Sequence, residues 1–368
     1  MLFKEENTYL TIARQILKEG YVDTSRTGID IRKVHATHME FSLLSGRIPV
    51  LSTRKIPVKS PIIELLWFIS GSTDIEFLKK NNVSIWDSWV KTGTARYDTS
   101  LDSGIRELEA KGLIKPSPNL DNNFFLKYGP GFVNQFLGDL TGQKVEDSKL
   151  IGGSIGEGAY GAQWRFWDDF RVVDDATANN LVRTKGYAFT GYTDNGDMAI
   201  VQRKYDQLQD AIDLINTNPE SRRIIVSAWN PGKLDLAQLP PCHQTYQFLP
   251  FEKDGIKYLD LSLTCRSQDF LVGTVFNVFQ YGVLCHLVAQ LTGRVANKLH
   301  WTGNNTHIYE NQVELFMQEH EERSHLHNPD LKLVINPEIK NISDFTTKDI
   351  TLTGYDNYLE RIDYPVAV

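Results

Sequence analysis

Cysteine is scarce in this 368-residue chain: only Cys242, Cys265 and Cys285 occur, with no close CxxC pair. An odd count without such a pair excludes both a disulfide framework and a cysteine-rich zinc site, and predicts reduced thiols. The histidines show no metal-ligand spacing, so no metal is expected. No apolar run approaches the ~20 residues needed to cross a bilayer. The N-terminus Met1-Leu2-Phe3-Lys4-Glu5-Glu6 lacks the basic-then-apolar order of a secretion signal, and a cytoplasmic location is the expectation. Positive charge is also in deficit. The net charge is -7, which gives no general attraction to nucleic acid, so any anion site must be a local cluster of arginines.

What is present is an ordinary globular composition, 41% hydrophobic and 23% charged, able to bury a substantial core. Leu10, Ala13, Ile16 and Leu17 recur at helical spacing between Tyr9 and Lys18, and Gly20 stops the pattern. Ser60-Pro61 opens an apolar helix over Ile62 to Ile69, and Thr73-Asp74-Ile75-Glu76 has the spacing of a capping box. Tyr205, Leu208, Ile212 and Ile215 mark a helix that ends before Pro219. Strands are predicted where Ile224, Val226 and Ala228 alternate with Ile225, Ser227 and Trp229, and again over Tyr258 to Thr264 after the turn Asp254-Gly255. Phe276 to Thr292 is apolar nearly all round and ends at Gly293, as a buried helix would. Two stretches resist assignment. An insertion rich in Gly, Pro, Asn and Asp is expected at about 90–157, and a second irregular stretch at about 168–197.

Chemistry concentrates around Leu239-Pro240-Pro241-Cys242-His243, a lone thiol in a proline-stiffened turn downstream of Arg222-Arg223. Arg266 and Ser267 stand in a later polar segment, Cys265-Arg266-Ser267-Gln268-Asp269. Positive charge near a thiol lowers its pKa and makes it a nucleophile, and that is the expectation for Cys242.

The chain resembles thymidylate synthases over most of its length. The resemblance is carried by Arg26-Thr27-Gly28, Glu64-Leu65-Leu66-Trp67-Phe68, Ile85-Trp86-Asp87, Tyr160-Gly161-Ala162-Gln163-Trp164-Arg165, Ser221 to Asn230, the Cys242 turn, Phe276-Asn277, Thr306-His307-Ile308-Tyr309 and Pro365-Val366-Ala367-Val368. It implies an α/β (α+β) fold in one domain over 1–368. In that fold a mixed sheet is flanked by helices and packs back to back with a partner's sheet in a homodimer. It implies dUMP as substrate and 5,10-methylenetetrahydrofolate as donor of methylene and hydride, giving dTMP and dihydrofolate.

Carried over residue by residue, the resemblance makes Cys242 the group that adds to C6 of the uracil. A ring made electron-rich in this way can then react at C5. Arg26, Arg222, Arg223, Arg266 and Ser267 would hold the phosphate, with Arg222 and Arg223 reaching the partner's site. Asn277, both donor and acceptor, would match O4 and N3-H of uracil, where related cytidylate hydroxymethylases carry aspartate. At the start of an apolar helix it could equally serve as a cap. His307 and Tyr309, two apart on an extended segment, would share a face and bind the sugar 3'-hydroxyl. Glu64, among Ile62, Ile63, Leu65 and Leu66, suits a proton relay, while Tyr160 and His243 match residues that manage the water removing the C5 proton. Trp86, Trp89, Asp269 and Gly273 match the pterin pocket, Asp269 counting also among the catalytic groups. Arg54 and Lys55 match the folate-tail residues, and Val368 matches the closing C-terminus.

Departures bear on the product. Val278-Phe279-Gln280-Tyr281 replaces the usual Ile-Ala-Ser-Tyr, Asn305 stands where the family has aspartate, and Gln244-Thr245 follows His243. The exocyclic methylene intermediate can take hydride or water, so a deoxyuridylate hydroxymethylase is the alternative. A catalytically silent, nucleic-acid-binding relative is a further reading. The acidic balance and the retained Cys242, Asn277 and Glu64 count against it.

Overall fold

Hydrophobic periodicity turns into a helix-backed sheet in the computed structural model, which describes residues 4–51, 53–97, 150–317, 331–355 and 361–366. Val368 and most of the insertion expected at about 90–157 lie outside the described residues. The chain divides into two units. One comprises Met1–Gly71, Tyr160–Trp229 and Pro241–Val368, the other Ser72–Ala159 and Asn230–Pro240.

The larger unit begins with α1 (Lys4–Glu19), β1 (Tyr21–Thr24), β2 (Asp30–Ser42) and α2 (Lys59–Ser70). It continues through α3 (Tyr160–Arg165), β3 (Trp167–Val173), α4 (Asp175–Lys185), β4 (Ala188–Tyr192), β5 (Ala199–Tyr205) and α5 (Gln207–Thr217). The remainder is β6 (Ile225–Ser227), β7 (His243–Lys253), β8 (Ile256–Asp269), α6 (Gly273–Leu291), β9 (Val295–Tyr309), α7 (Glu310–Leu315), β10 (Lys332–Ile335) and β11 (Ile350–Thr353).

Six strands form one sheet in the order β1-β2-β9-β8-β7-β6. Only β8 and β9 run parallel, because α6 carries the chain back between them, whereas β7 and β8 form a hairpin across Asp254 and Gly255, both at positive φ. Strand β8 reads out the two faces of the sheet. Leu259, Leu261 and Leu263 are buried, while Asp260, Ser262 and Thr264 between them are half-buried. The same alternation puts Ile224, Val226 and Ala228 inside and leaves Ile225 exposed, as predicted.

Helix α6 fills the interior. Among the described residues it alone is long and apolar enough to cross a membrane, and it is mostly buried within the fold. Beside it α2 buries Ile62, Ile63, Leu65, Leu66, Trp67 and Phe68. Gly161 of α3 meets α2 so closely that a Cβ there would stand 2.3 Å from the Phe68 carbonyl oxygen, which is why the Tyr160-Gly161-Ala162 run carries no larger residue.

Three expectations change. The stretch at 168–197 is structured: β3, β5 and β4 form a three-stranded sheet in that order, covered by α4 around Ala178, Tyr187, Ala199 and Val201. Asp174 caps α4 by accepting from the Thr177 N–H at 2.9 Å, and Gly186 ends it at φ 69°. Charged residues on a half-solvated sheet masked its alternation. Tyr205 closes β5 instead of opening the next helix, whose cap is Asp206. At Thr73-Asp74-Ile75-Glu76 no capping box forms; Asp74 accepts from the Glu76 N–H at 2.9 Å.

In the second unit Asp74 also pairs with Arg96 and accepts from the Gly153 N–H, tying the helix Glu76–Lys80 to the short strand pair Arg96–Tyr97 and Leu150–Gly152. Trp86 is buried and Trp89 half-buried at the two sides of the turn Asp87–Trp89.

Candidate active site

The carboxyl ends of the two parallel strands gather the polar residues, the usual place for a ligand where a parallel pair is joined by a helix. Register sets Ser267 opposite Asn305 and Asp269 opposite His307. The start of β7 lies next to β8 with His243 opposite Cys265, which places Cys242 at the same edge.

Cys242 is held from three directions. Its backbone N–H donates to the Tyr160 hydroxyl at 2.8 Å, and its carbonyl accepts from the Arg266 N–H at 2.8 Å. The Arg266 guanidinium donates to the Pro241 carbonyl through Nε at 2.8 Å, places Nη2 3.8 Å from Cys242 Sγ and lies 5.2 Å over the Trp229 ring. Burial nonetheless raises the Cys242 pKa; Arg266, the Tyr160 hydroxyl and Arg26 oppose it without prevailing. The expected lowering of the thiol pKa is thereby reversed in the free protein, because desolvation of a thiolate outweighs one neighbouring guanidinium. The thiol is therefore protonated at rest.

Beneath it lies an aromatic bed. The Tyr160 ring stacks on Phe68 at 4.9 Å and meets His243 at 4.1 Å, and His243 Nδ1 shares a 2.8 Å hydrogen bond with the Tyr281 hydroxyl. Burial pushes His243 down to about 3 and Tyr160 well above the ordinary phenol range, so both are neutral at working pH.

Asn277 sits one turn inside α6, whose N-cap is Val272, so Asn277 caps nothing. Its Nδ2 donates to Gln268 Oε1 at 3.3 Å, which sets the amide so that its carbonyl oxygen is the accepting end. Gln268 in turn lies against Gly273, where a Cβ would fall 2.5 Å from its Nε2.

Asp269 accepts from the Val272 N–H at 3.2 Å and from Gln312 Nε2 at 3.0 Å, and burial raises it to about 6. Gln312, fully buried, also donates to the Pro365 carbonyl at 3.0 Å, so one amide joins Asp269 to the C-terminal segment. His307 and Tyr309 share a face with ring centroids 5.3 Å apart. His307 is lowered to about 4 by burial and shares a 3.1 Å hydrogen bond with Asn305. Burial and Asp269 raise Tyr309.

Glu64, on the α6-facing side of α2, accepts from Gln280 Nε2 at 3.0 Å. Arg26 is exposed in the turn after β1, yet its charge reaches both Cys242 and Tyr309. Arg222 and Arg223 are exposed ahead of β6 and make no side-chain contact with this group of residues among the hydrogen bonds described. Lys55 is exposed. Arg54 is buried, donating to the Leu271 carbonyl and lying 4.8 Å over Tyr364, a position that ties the C-terminal segment to the start of α6. Trp86 and Trp89 belong to the second unit.

Sequence reasoning overlooked Gln268, Gln312 and Tyr281. Gln268 and Tyr281 lie inside segments already singled out, whereas Gln312 carried no signal, because an amide's partners are set by tertiary proximity. The family model of thymidylate synthase matches residues 7–368, and the chain belongs to the thymidylate synthase family.

Proposed function

We propose that the protein is a thymidylate synthase, converting dUMP to dTMP through a temporary bond between Cys242 and C6 of the uracil. The observation that carries this reading is the thiol braced by Arg266 and Tyr160 at the sheet edge where the strand ends also carry His307 and Tyr309, with Asn277 on α6 bonded to Gln268 of the same strand end. Because the thiol is protonated at rest, the S–H bond breaks as the carbon–sulfur bond forms: the proton passes to water, the C5–C6 π electrons move toward O4, and the Arg266 charge stabilises the sulfur as it gives up its proton. Arg26, Arg266 and Ser267 bind the phosphate, and Asn277 accepts N3-H and donates to O4. His307 and Tyr309 take the 3'-hydroxyl. Glu64 relays a proton toward O4, while Tyr160 and neutral His243 order the water that removes the C5 proton.

Methylenetetrahydrofolate, when bound, supplies the methylene group and then hydride. Asp269 suits it as a half-buried acceptor for a ring N–H. Gly273, Arg54 and Lys55 complete the folate-binding set within the larger unit.

A homodimer accounts for the outer face of the six-stranded sheet. Its central strands leave Ser262, Thr264, His300 and Thr302 only half-buried, where a second sheet would cover them. Exposed Arg222 and Arg223 are then free to serve the partner's phosphate site.

Hydroxymethylation is the second reading, and Gln280 favours it by placing an amide behind the pocket where the family has serine. Incubation with dUMP and methylenetetrahydrofolate separates the two. dTMP with one dihydrofolate per turnover supports the synthase, and 5-hydroxymethyl-dUMP without dihydrofolate overturns it.

A further inference from the structure

Gln280 lies on α6, almost fully buried, against the first half of α2. Its Nε2 donates both hydrogens to that helix, one to the Pro61 carbonyl at 3.2 Å and one to Glu64 Oε2 at 3.0 Å. Pro61 and Glu64 stand three apart and so share a helix face. Two acceptors at one end of an amide fix its orientation: turned over, Oε1 would face a carbonyl and a carboxylate with no hydrogen between them. Oε1 itself is buried and finds no partner among the described residues. An unpaired buried oxygen is costly, so the two bonds donated by Nε2 are what holds this amide in place.

We propose that Gln280 is a positioning residue that locks the Glu64 carboxylate in one rotamer and keeps it in its acceptor form. The proposal rests on Glu64 being the proton relay. Serine, with a single hydroxyl on a short side chain, could not reach Pro61 and Glu64 together in this way. The substitution of glutamine therefore gives this chain its own control of the relay.

Other titratable groups also lie around Glu64. Tyr160 of α3 and Tyr281 of α6 feel its charge, but burial holds both phenols far above working pH. His243 is neutral. Arg165 of α3 donates to the Ile69 carbonyl at the far end of α2, and Asp344, on the short helical turn that also packs on α2, is exposed. A hydrogen bond donated to a carboxylate favours its charged form, so removing this one raises the pH at which Glu64 takes a proton.

The test titrates the Glu64 carboxyl in folate-free protein by carbon-13 NMR of labelled glutamate, assigned by the resonance lost in Glu64→Gln. Gln280→Met keeps the volume and removes the amide, and Gln280→Leu serves if the methionine variant folds poorly. The expected result is a midpoint higher by about one pH unit. The acid limb of kcat should move with it, kcat should fall about tenfold, and KM for dUMP should change little. In the Glu64→Gln background the Gln280 substitution should have no further effect on kcat. An unmoved Glu64 midpoint in a variant of native Tm, or additive losses in the double variant, overturns the proposal. A moved midpoint in a protein that never turns over dUMP supports the positioning role and sinks the proposed activity instead.

Discussion

Cys242 shows at the scale of one side chain how a nucleophile can be prepared without being ionised. Burial raises its pKa and Arg266 pulls it back, so the thiolate fraction in the free protein depends on a guanidinium 3.8 Å away. Replacing Arg266 with methionine should push the thiol further up and slow alkylation of Cys242 by iodoacetamide several-fold at pH 8; an unchanged rate would mean the arginine does not act on the sulfur. Cys242, Asn277 and Arg266 could be found in the sequence because each needs one particular side chain within an ordered motif. The neighbours that orient them could not. Gln268 sets Asn277, Gln312 holds Asp269 and Gln280 holds Glu64, and each is an amide that would read as an ordinary polar or helix residue in isolation. The direction of the thiol's pKa was also beyond sequence, since charge spacing along a chain does not report how much water is lost.

Elements were legible where both sides of the pattern are sharp. Helix α6, apolar all round, and strand β8, with leucines on one face and polar residues on the other, follow directly from periodicity. The sheet of β3, β4 and β5 did not, because Asp169 pairs with both Arg171 and Arg203, whose guanidiniums lie over Tyr187 in place of a purely apolar row. Tight packing between α2 and α3 gives the element-scale test. A methyl group at Gly161 would meet the Phe68 backbone at 2.3 Å, so Gly161→Ala should destabilise the protein by ~1–3 kcal/mol. It should also lower kcat by displacing Tyr160 from the Cys242 amide. Unchanged Tm and kcat would show that the two helices part without cost.

For the whole molecule, acid stability follows from opposed buried groups. His243 is held at about 3 and His307 at about 4, and burial lowers His286 as well, so unfolding takes up protons on all three below the ordinary histidine value near 6.5, and their contribution is lost as pH falls from there. Asp269, raised to about 6, acts in reverse: its contribution is full below the ordinary carboxylate value and is lost as pH rises through 6. Between pH 4 and 6 the histidines outweigh one aspartate, and stability should rise with pH. Asp269→Asn should steepen that rise in urea unfolding, and a shallower slope would contradict the raised Asp269. Dimer formation has its own test. Cys242→Ser and Arg222→Ala variants, each inactive, should regain about a quarter of normal activity after mixing and subunit exchange, since half the dimers are then mixed and hold one intact site. No recovery would confine Arg222 to its own subunit. The central claim is the bond between Cys242 and the pyrimidine, and acid quenching during steady-state turnover of dUMP with methylenetetrahydrofolate, followed by peptide mass mapping, reads it directly. The nucleotide mass is expected on the peptide containing Cys242; steady turnover with no such peptide, persisting in Cys242→Ser, would contradict it.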